Sequence, residues 1–332
     1  MKELAIIGAG SWGTALALVL APRFERIRLW VYEKDLAERI REARVNDVYL
    51  PGFCLPSNVA VETGFDAALE GAGIVLSVIP SHLVRGIYVR MLPCLDPQMV
   101  FVSATKGLEN GTLLRASEVI RDCVGSRFEP RVAVISGPTF AREVARGDPT
   151  ALVVASTDAE LAALVQNSFS GPTFRLYTSS DPCGVEIGGA VKNVVAIGAG
   201  VCHGLGLGSN TQAALITRGL AEMTRLAAAL GGRPRTLAGL AGLGDLVLTC
   251  TGELSRNRTV GLELARGRKL DEIVSTMKMI AEGIKTTNAA VDLARRVHVE
   301  MPIASQMYQM LTFGLPPQQA IRQLMERSLK SE

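Results

Sequence analysis

The chain has 332 residues, 35 of them Lys or Arg against 32 Asp or Glu, and 48% are hydrophobic. That apolar fraction excludes a disordered polyelectrolyte, and the length allows two hydrophobic cores without disulfide or metal staples. A net charge of +3 gives no electrostatic case for nucleic-acid binding, though it leaves room for a local anion site.

In chain order, the apolar run Leu4–Gly8 predicts a first strand, and a helical pattern follows over about Ser11–Leu20. Arg28–Val31 reads as a second strand and Asp35–Glu42 as a helix. Val59–Val61, Ile74–Ile79, Val100–Ala104, Val132–Ile135, Ala151–Ala155 and Phe174–Tyr177 supply further strands. Helical patterns lie between most of them, as at Ser81–Met91 and Asp158–Ser168. Continuous apolar strands alternating with helices predict an α/β fold, Rossmann-like, with a mostly parallel sheet covered on both faces. After Ser179-Ser180-Asp181-Pro182 the strand signals stop and helical patterns run to the end. The expected organisation is therefore a dinucleotide-binding domain over 1–181 and an all-α substrate-binding, catalytic domain over 182–332.

Mean hydropathy is high, at +0.25. The stretch Val185–Leu205 is long enough to cross a bilayer, but Glu186, Lys192 and its many glycines make a buried helix the expectation and no membrane span. Met1-Lys2-Glu3 leads straight into an apolar strand without signal-peptide architecture, so a cytoplasmic location is expected. The six cysteines (Cys54, Cys94, Cys123, Cys183, Cys202 and Cys250) are scattered, with no CxxC, and read as reduced thiols. With only three histidines, no metal site is expected. His82 and His203 are weak candidates for a proton carrier. Met277, Met279, Met301, Met307 and Met310 read as fillers of helical core gaps.

Gly8-Ala9-Gly10-Ser11-Trp12-Gly13 is a GxGxxG fingerprint between strand and helix. The first glycine permits the turn, the second lets a pyrophosphate approach, and the third lets helix and strand pack closely. Glu33 follows Gly13 by 20 residues, the spacing of an acid that hydrogen-bonds a ribose 2′-OH. A solvated turn charge is its alternative, with Tyr32 and Lys34 on either side. Lys106, in Ala104-Thr105-Lys106-Gly107, lies at a strand's carboxyl end, where a cation faces an anionic substrate. Ser136-Gly137-Pro138-Thr139-Phe140-Ala141 reads as a helix start rich in free donors.

Lys192 is the sharpest single residue. Apolar or small neighbours surround it in Gly188-Gly189-Ala190-Val191-Lys192-Asn193, so desolvation should lower its pKa and suit it to proton exchange. Asn193 offers a neutral hydrogen bond. Asp245 is an isolated acid within Gly239–Cys250 and needs a partner, for which Lys192 is the obvious candidate. Ser255-Arg256-Asn257-Arg258 precedes a helical pattern near Thr259–Ala265 and combines N-cap residues with arginine forks, a phosphate site at a helix N-terminus.

These residues together resemble the NAD(P)-dependent sn-glycerol-3-phosphate dehydrogenases of the bacterial soluble type. The resemblance runs over essentially the whole chain. It includes the glycine fingerprint with Trp12, Asn46-Asp47-Val48-Tyr49-Leu50-Pro51, Ala104–Gly107, Ser136–Glu143, Lys192-Asn193, Gly239–Arg258 and Ala281-Glu282-Gly283. It implies that Lys192 is the general acid/base that protonates dihydroxyacetone phosphate, with Asp245 as its accompanying acid. Lys106, Gly137 and Thr139 would hold substrate, and Ser255, Arg256 and Asn257 its phosphate. Gly8, Gly10, Ser11, Trp12, Gly13, Glu33, Lys106, Ala141, Arg256 and Glu282 would contact NAD(H) or NADP(H), with Tyr32, Tyr49 and Ile280 as further contacts. The resemblance also implies a homodimer and a product, sn-glycerol 3-phosphate, that feeds phospholipid synthesis. NADP-preferring members commonly carry a basic residue just after the second strand; here Glu33 should repel a 2′-phosphate while Lys34 could attract it, so use of NADH with tolerance for NADPH is expected. Two alternatives stay open at this stage: another lysine-using dehydrogenase of the 3-hydroxy-acid or 6-phosphogluconate type, and a non-enzymatic dinucleotide sensor.

Overall fold

The structure is a computed structural model and describes residues 2–277 and 281–329. Met279 and Ile280 lie outside the described residues. The α/β region contains strands β1 (Glu3–Ile7), β2 (Arg26–Trp30), β3 (Val59–Glu62), β4 (Ile74–Ser77), β5 (Val100–Ser103), β6 (Arg131–Ser136), β7 (Thr150–Ala155) and β8 (Phe174–Ser179). Its helices are α1 (Ser11–Leu20), α2 (Lys34–Ala43), α3 (Phe65–Leu69), α4 (Val84–Met91), α5 (Ala116–Val124), α6 (Ala141–Arg146) and α7 (Ala159–Phe169). The helical region follows with α8 (Pro182–Gly204), α9 (Ser209–Ala229), α10 (Pro234–Leu237), α11 (Asp245–Thr251) and α12 (Arg256–Ala265). It continues with α13 (Leu270–Thr276), α14 (Glu282–Arg296), α15 (Pro302–Phe313) and α16 (Pro317–Met325).

The eight strands form one sheet in the order β3-β2-β1-β4-β5-β6-β7-β8. β1 to β6 are mutually parallel, so their carboxyl ends share one edge. The crossover between β1 and β4 opens a crevice at that edge, where a Rossmann-type sheet takes its ligand. The mostly parallel sheet agrees with the apolar runs: every residue of β4 and β5 is buried, because helices cover both faces. Leu4 and Ile6 pack with Leu16, Leu20 and Ile40 on one face. Ala5 and Ile7 pack with Phe65, Tyr88 and Ile120 on the other.

β6 and β7 are antiparallel, which apolar runs alone do not reveal. β8 closes the sheet as an edge strand. Its alternating pattern puts Phe174 and Leu176 inside while Arg175 and Tyr177 stay exposed.

Three local expectations shift. The Ser81–Met91 pattern opens with a 3-10 turn at Ser81–Leu83 before α4 begins. Pro138 does not start a helix: α6 begins at Ala141 after the N-cap Phe140, leaving Gly137–Thr139 as a loop. The helix expected near Thr259 begins at Arg256, because the Ser255 hydroxyl caps it by accepting from the Arg258 N–H at 3.2 Å.

α8 is the axis of the helical region. The most apolar 18-residue window of this membrane-length stretch is entirely buried in protein, as expected for a core helix. α12 crosses it on reciprocal glycines. A Cβ on Gly200 would lie 1.9 Å from the Arg258 carbonyl oxygen, and one on Gly261 would lie 1.9 Å from that of Ile197. This close approach sets the Ser255–Arg258 turn beside Lys192-Asn193. Met301, Met307 and Met310 fill the surrounding core.

α15 has no side-chain cap of its own; instead the buried Glu222 of α9 accepts from the Ile303 and Ala304 N–H groups. Burial pushes the Glu222 carboxyl up to about 7, against the pull of those two N–H groups. A carboxyl whose pKa rises on folding contributes stability below its unfolded value that is lost as pH climbs through the folded one. Unfolding free energy should therefore fall between about pH 4.5 and 7, by up to about 3 kcal/mol from this group. Glu222→Gln should flatten that decline in denaturant titrations. An unchanged slope would exclude Glu222 as its source.

Candidate active site

The glycine turn after β1 is built as its spacing implies. Gly8, at φ +115°, lies where a Cβ would come within 2.4 Å of the Val78 carbonyl oxygen, and a Cβ on Gly13 would meet the Gly8 oxygen at 1.8 Å. A Cβ on Gly10 would meet nothing within 4 Å. The first and third glycines are thus consumed by internal packing, while the second leaves open space at the N-terminus of α1. Gly10, the N-cap, brings no side chain to the first N–H groups of that helix, which suits them to a dinucleotide pyrophosphate.

Asn46 braces this turn. Fully buried, it donates to the Ala9 carbonyl at 2.8 Å and to Thr14 Oγ1 at 2.9 Å, and its own oxygen accepts from the Tyr49 N–H. Ser11 Oγ donates to the Tyr49 carbonyl at 2.6 Å, and the Tyr49 hydroxyl donates to Glu33 Oε1 at 2.7 Å. Burial and the Glu33 carboxylate push the Tyr49 phenol up to about 12, so it remains a donor. Glu33, Tyr49 and Ser11 therefore form one linked rim. Trp12 and Ala141 are partly buried against the same core as α1. Tyr32 is 67% exposed, with its ring beside that of Trp30.

Two strands along the same sheet edge, Lys106 follows β5. Its ammonium donates to the Gly137 carbonyl at 3.1 Å and to Asp245 Oδ2 at 2.8 Å, and lies 3.5 Å from Thr139 Oγ1. Gly137, at φ +156°, is pressed against Leu152, where a Cβ would come within 2.8 Å of the Leu152 Cβ. Lys192 reaches Asp245 from the opposite side, donating to Oδ1 and, at 3.0 Å, to Thr249 Oγ1. It is buried rather than snorkelling. One fully buried carboxylate is thus shared by two lysines, one from each region of the chain.

That sharing decides the electrostatics. Burial pushes the Lys192 ammonium well below the ordinary lysine value; Asp245 opposes the shift, and the neighbouring Lys106 adds to it. A single negative charge cannot fully compensate two cations, which leaves the desolvation of the buried Lys192 only partly offset. Glu282, at the start of α14, faces the same cluster. Burial pushes its carboxyl up to about 7, against the pull of Arg256, Lys106 and Lys192.

The Ser255-Arg256-Asn257 turn is positioned through α8. Asn257 donates to Asn193 Oδ1 at 3.0 Å and accepts from the Gly283 N–H at 2.9 Å. This ties the phosphate-site candidates to Lys192-Asn193 on one side and Ala281-Glu282-Gly283 on the other.

Comparison with known proteins gives this arrangement its family. The model of the NAD-dependent glycerol-3-phosphate dehydrogenase N-terminus matches residues 3–162, and that of the C-terminus matches residues 181–322. The chain belongs to the NAD-dependent glycerol-3-phosphate dehydrogenase family. A glycerol-3-phosphate dehydrogenase [NAD(P)+] from Koribacter versatilis is 57% identical over 100% of this chain and 99% of its own length. The crystal structure of a glycerol-3-phosphate dehydrogenase from Coxiella burnetii superposes with a TM-score of 0.94 at 43% identity, covering 98% of this chain and 99% of the other. A ketopantoate reductase from Ralstonia eutropha shares the fold alone, at a TM-score of 0.60 and 17% identity over 96% and 100% of the two chains. These likenesses favour the glycerol phosphate reading over the other dehydrogenase types and the dinucleotide sensor.

Several residues of the site carry roles that no local pattern in the sequence assigns. Thr249 lies one turn after Asp245, its hydroxyl donating to the Asp245 carbonyl at 2.6 Å. The i,i+4 spacing on a helix was the available signal. Asn46 lay within the motif Asn46–Pro51 that carries the family likeness, but nothing local assigned it the role of bracing the glycine turn. His82 is half-buried, and burial together with Lys285 pushes its imidazole below the ordinary value. His203 is exposed at the end of α8. The six thiols are free, with Cys54 exposed and Cys250 fully buried near Lys192. Among the described residues no group of three or more His, Cys, Asp or Glu could hold a metal ion.

Proposed function

We infer that the enzyme catalyses reversible hydride transfer between NAD(P)H and dihydroxyacetone phosphate, giving sn-glycerol 3-phosphate, with Lys192 as the general acid/base. The observation that carries the residue assignment is the Asp245 carboxylate held between Lys192 and Lys106 at the carboxyl edge of the sheet. The two lysines supply a proton donor and a fixed positive charge, and the carboxylate fixes where they stand.

The backbone around Gly10, Ser11 and Trp12, bounded by Gly8 and Gly13, would hold the dinucleotide phosphates. Glu33 and Tyr49 would take the adenosine ribose, with Tyr32, Ala141, Arg256 and Glu282 as further contacts. When bound, the reduced nicotinamide supplies the hydride. Lys192 gives a proton to the substrate carbonyl oxygen during reduction and withdraws it from the hydroxyl during oxidation. Asp245 and Thr249 orient the Lys192 amine. Lys106, Gly137 and Thr139 line the substrate's path, and Ser255, Arg256 and Asn257 take its phosphate at the start of α12. Loss of NADH absorbance on addition of dihydroxyacetone phosphate tests the reading. Dinucleotide binding without turnover, or turnover only with unphosphorylated 2-oxo or 3-oxo acids, would overturn it.

Glu33 sets the cofactor preference we propose. Its carboxylate, held by the Tyr49 hydroxyl, stands where a 2′-phosphate would bring like charge, although Lys34 adjoins it. We expect kcat/KM for NADH to exceed that for NADPH by about tenfold or more, a modest share of the several kcal/mol a like-charge contact can cost. A strong NADPH preference would reverse the assignment. The proposed organisation keeps a dinucleotide-binding domain over 1–181 and a helical substrate domain over 182–332, in a cytoplasmic homodimer supplying phospholipid synthesis.

A further inference from the structure

A buried carboxylate that the chemistry does not use joins the two regions. Glu186 lies on α8, six residues before Lys192, or about 9 Å along the helix axis. Its side chain is 5% exposed. It accepts from the Ser117 N–H at 2.8 Å, from Ser117 Oγ at 2.6 Å and from Arg115 Nη1 at 2.9 Å. Those donors are the first turn of α5, whose otherwise unpaired Ser117 N–H is satisfied by a side chain 69 residues away.

The segment between Lys106 and Ser117 is stiff. Leu108 and Arg115 form an antiparallel bridge, and the Glu109 N–H donates to the Leu114 carbonyl at 2.9 Å. Arg85 holds the Glu109 carboxylate at 2.9 Å. At the near end Gly107, at φ +135°, is pressed against Ser81 and Thr286. The far end, at Arg115 and Ser117, is the tie to α8 itself. A displacement of α5 against α8 is therefore carried along a braced hairpin to Lys106.

We propose that Glu186 is a positioning residue: by docking the far end of the Lys106 loop onto the helix that carries Lys192, it sets the separation of the two lysines that share Asp245. Lys106 opposes the charge on Lys192, so their separation governs how readily Lys192 parts with its proton. The other ionisable groups facing Lys192 are Asp245 and Cys250 from α11 and Glu282 from α14, while α12 presents the neutral Asn257 to Asn193 and the charged Arg256 and Arg258 to Glu282 and Cys250. Around Glu186 itself stand Arg115, Glu118 and Cys183. None of these changes when Ser117 is altered.

The inference rests on Lys192 as proton carrier, which Lys192→Ala tests separately: near wild-type kcat there would remove the carrier, whereas the variants below test only its positioning. Ser117→Ala deletes one donor and no charge. It should lower kcat several-fold and move the kinetic pKa of the Lys192 group upward, as Lys106 recedes. Glu186→Gln should do the same more strongly, with kcat down at least tenfold. Loss of the Glu186 charge by itself would move that pKa downward, so an upward shift in both variants reports displacement. In the ligand-free protein, amide hydrogen exchange over residues 106–115 should quicken in Ser117→Ala. A Ser117→Ala protein with unchanged kinetic pKa and exchange, altered only in Tm, would overturn the proposal. So would a downward pKa in either variant. Should Glu186→Gln fail to fold, Ser117→Ala decides alone.

Discussion

Lys192→Ala is expected to lower kcat by about 10²–10⁴-fold in both directions, the range for losing a positioned proton carrier. KM for dihydroxyacetone phosphate should change far less, because the phosphate contacts we propose lie on α12. Asp245 would keep Lys106 as its partner at 2.8 Å, so the carboxylate is not left unpaired and the protein should fold. The pH dependence carries a sign that checks the assignment. Burial and Lys106 hold Lys192 below the ordinary lysine value. Reduction requires the ammonium form and should lose rate as pH rises through that lowered value, while oxidation requires the amine and should gain rate over the same window. Both limbs should vanish in the alanine variant. Steady-state kinetics across pH in the two directions make the comparison, and near wild-type kcat would eliminate Lys192 from this role.

Arg256→Ala is expected to fall next hardest, and on binding rather than chemistry. A charge-assisted hydrogen bond to phosphate is worth about 1.5–3 kcal/mol, so kcat/KM for the phosphorylated substrate should drop roughly 10–100-fold. A glyceraldehyde-like analogue lacking phosphate should lose much less. Equal losses on both substrates would argue against phosphate recognition at the start of α12. The Ser255 cap and the Asn257–Asn193 bond are independent of the arginine side chain, so the turn should keep its place.

Much of the architecture was legible because it is written in short-range terms. The central strands correspond to apolar runs, since a strand covered on both faces has no polar positions to spare, whereas β3 and β8 at the sheet's edges alternate. The change to helical patterns near Asp181 matches the start of α8, where the Asp181 side chain accepts from the Gly184 N–H at 2.8 Å. The reversal at β7 was not legible, because strand direction depends on how the intervening chain crosses the sheet. The early start of α12 was missed for a different reason: a serine in a polar string is a cap only if the next turn bends toward it.

The candidate site divides along the same line. The glycine fingerprint declared itself through steric demands confined to six residues. Lys192 declared itself as the one lysine of an apolar helix, flanked by small and apolar residues that could not leave its charge without a partner. Asp245 was recognisable as needing a cation, and Lys192 was the natural partner. That Lys106 claims the other oxygen of the same carboxylate was not foreseeable, nor was the docking of Glu186 on Ser117.

The sequence by itself determined the strand and helix alternation, the dinucleotide turn, the buried lysine and the family to which they belong. The first three follow from backbone sterics, side-chain periodicity and desolvation, all of which act within a few residues; the family follows from the likeness of motifs spread along the whole chain. Only the tertiary structure decided that one carboxylate serves two lysines. Lys106 and Asp245 are 139 residues apart in the chain, and Lys192 and Asp245 are 53 apart. Such contacts are fixed by how α8 packs against the sheet edge and α12 against α8, through glycine approaches and buried carboxylates whose partners no local pattern names.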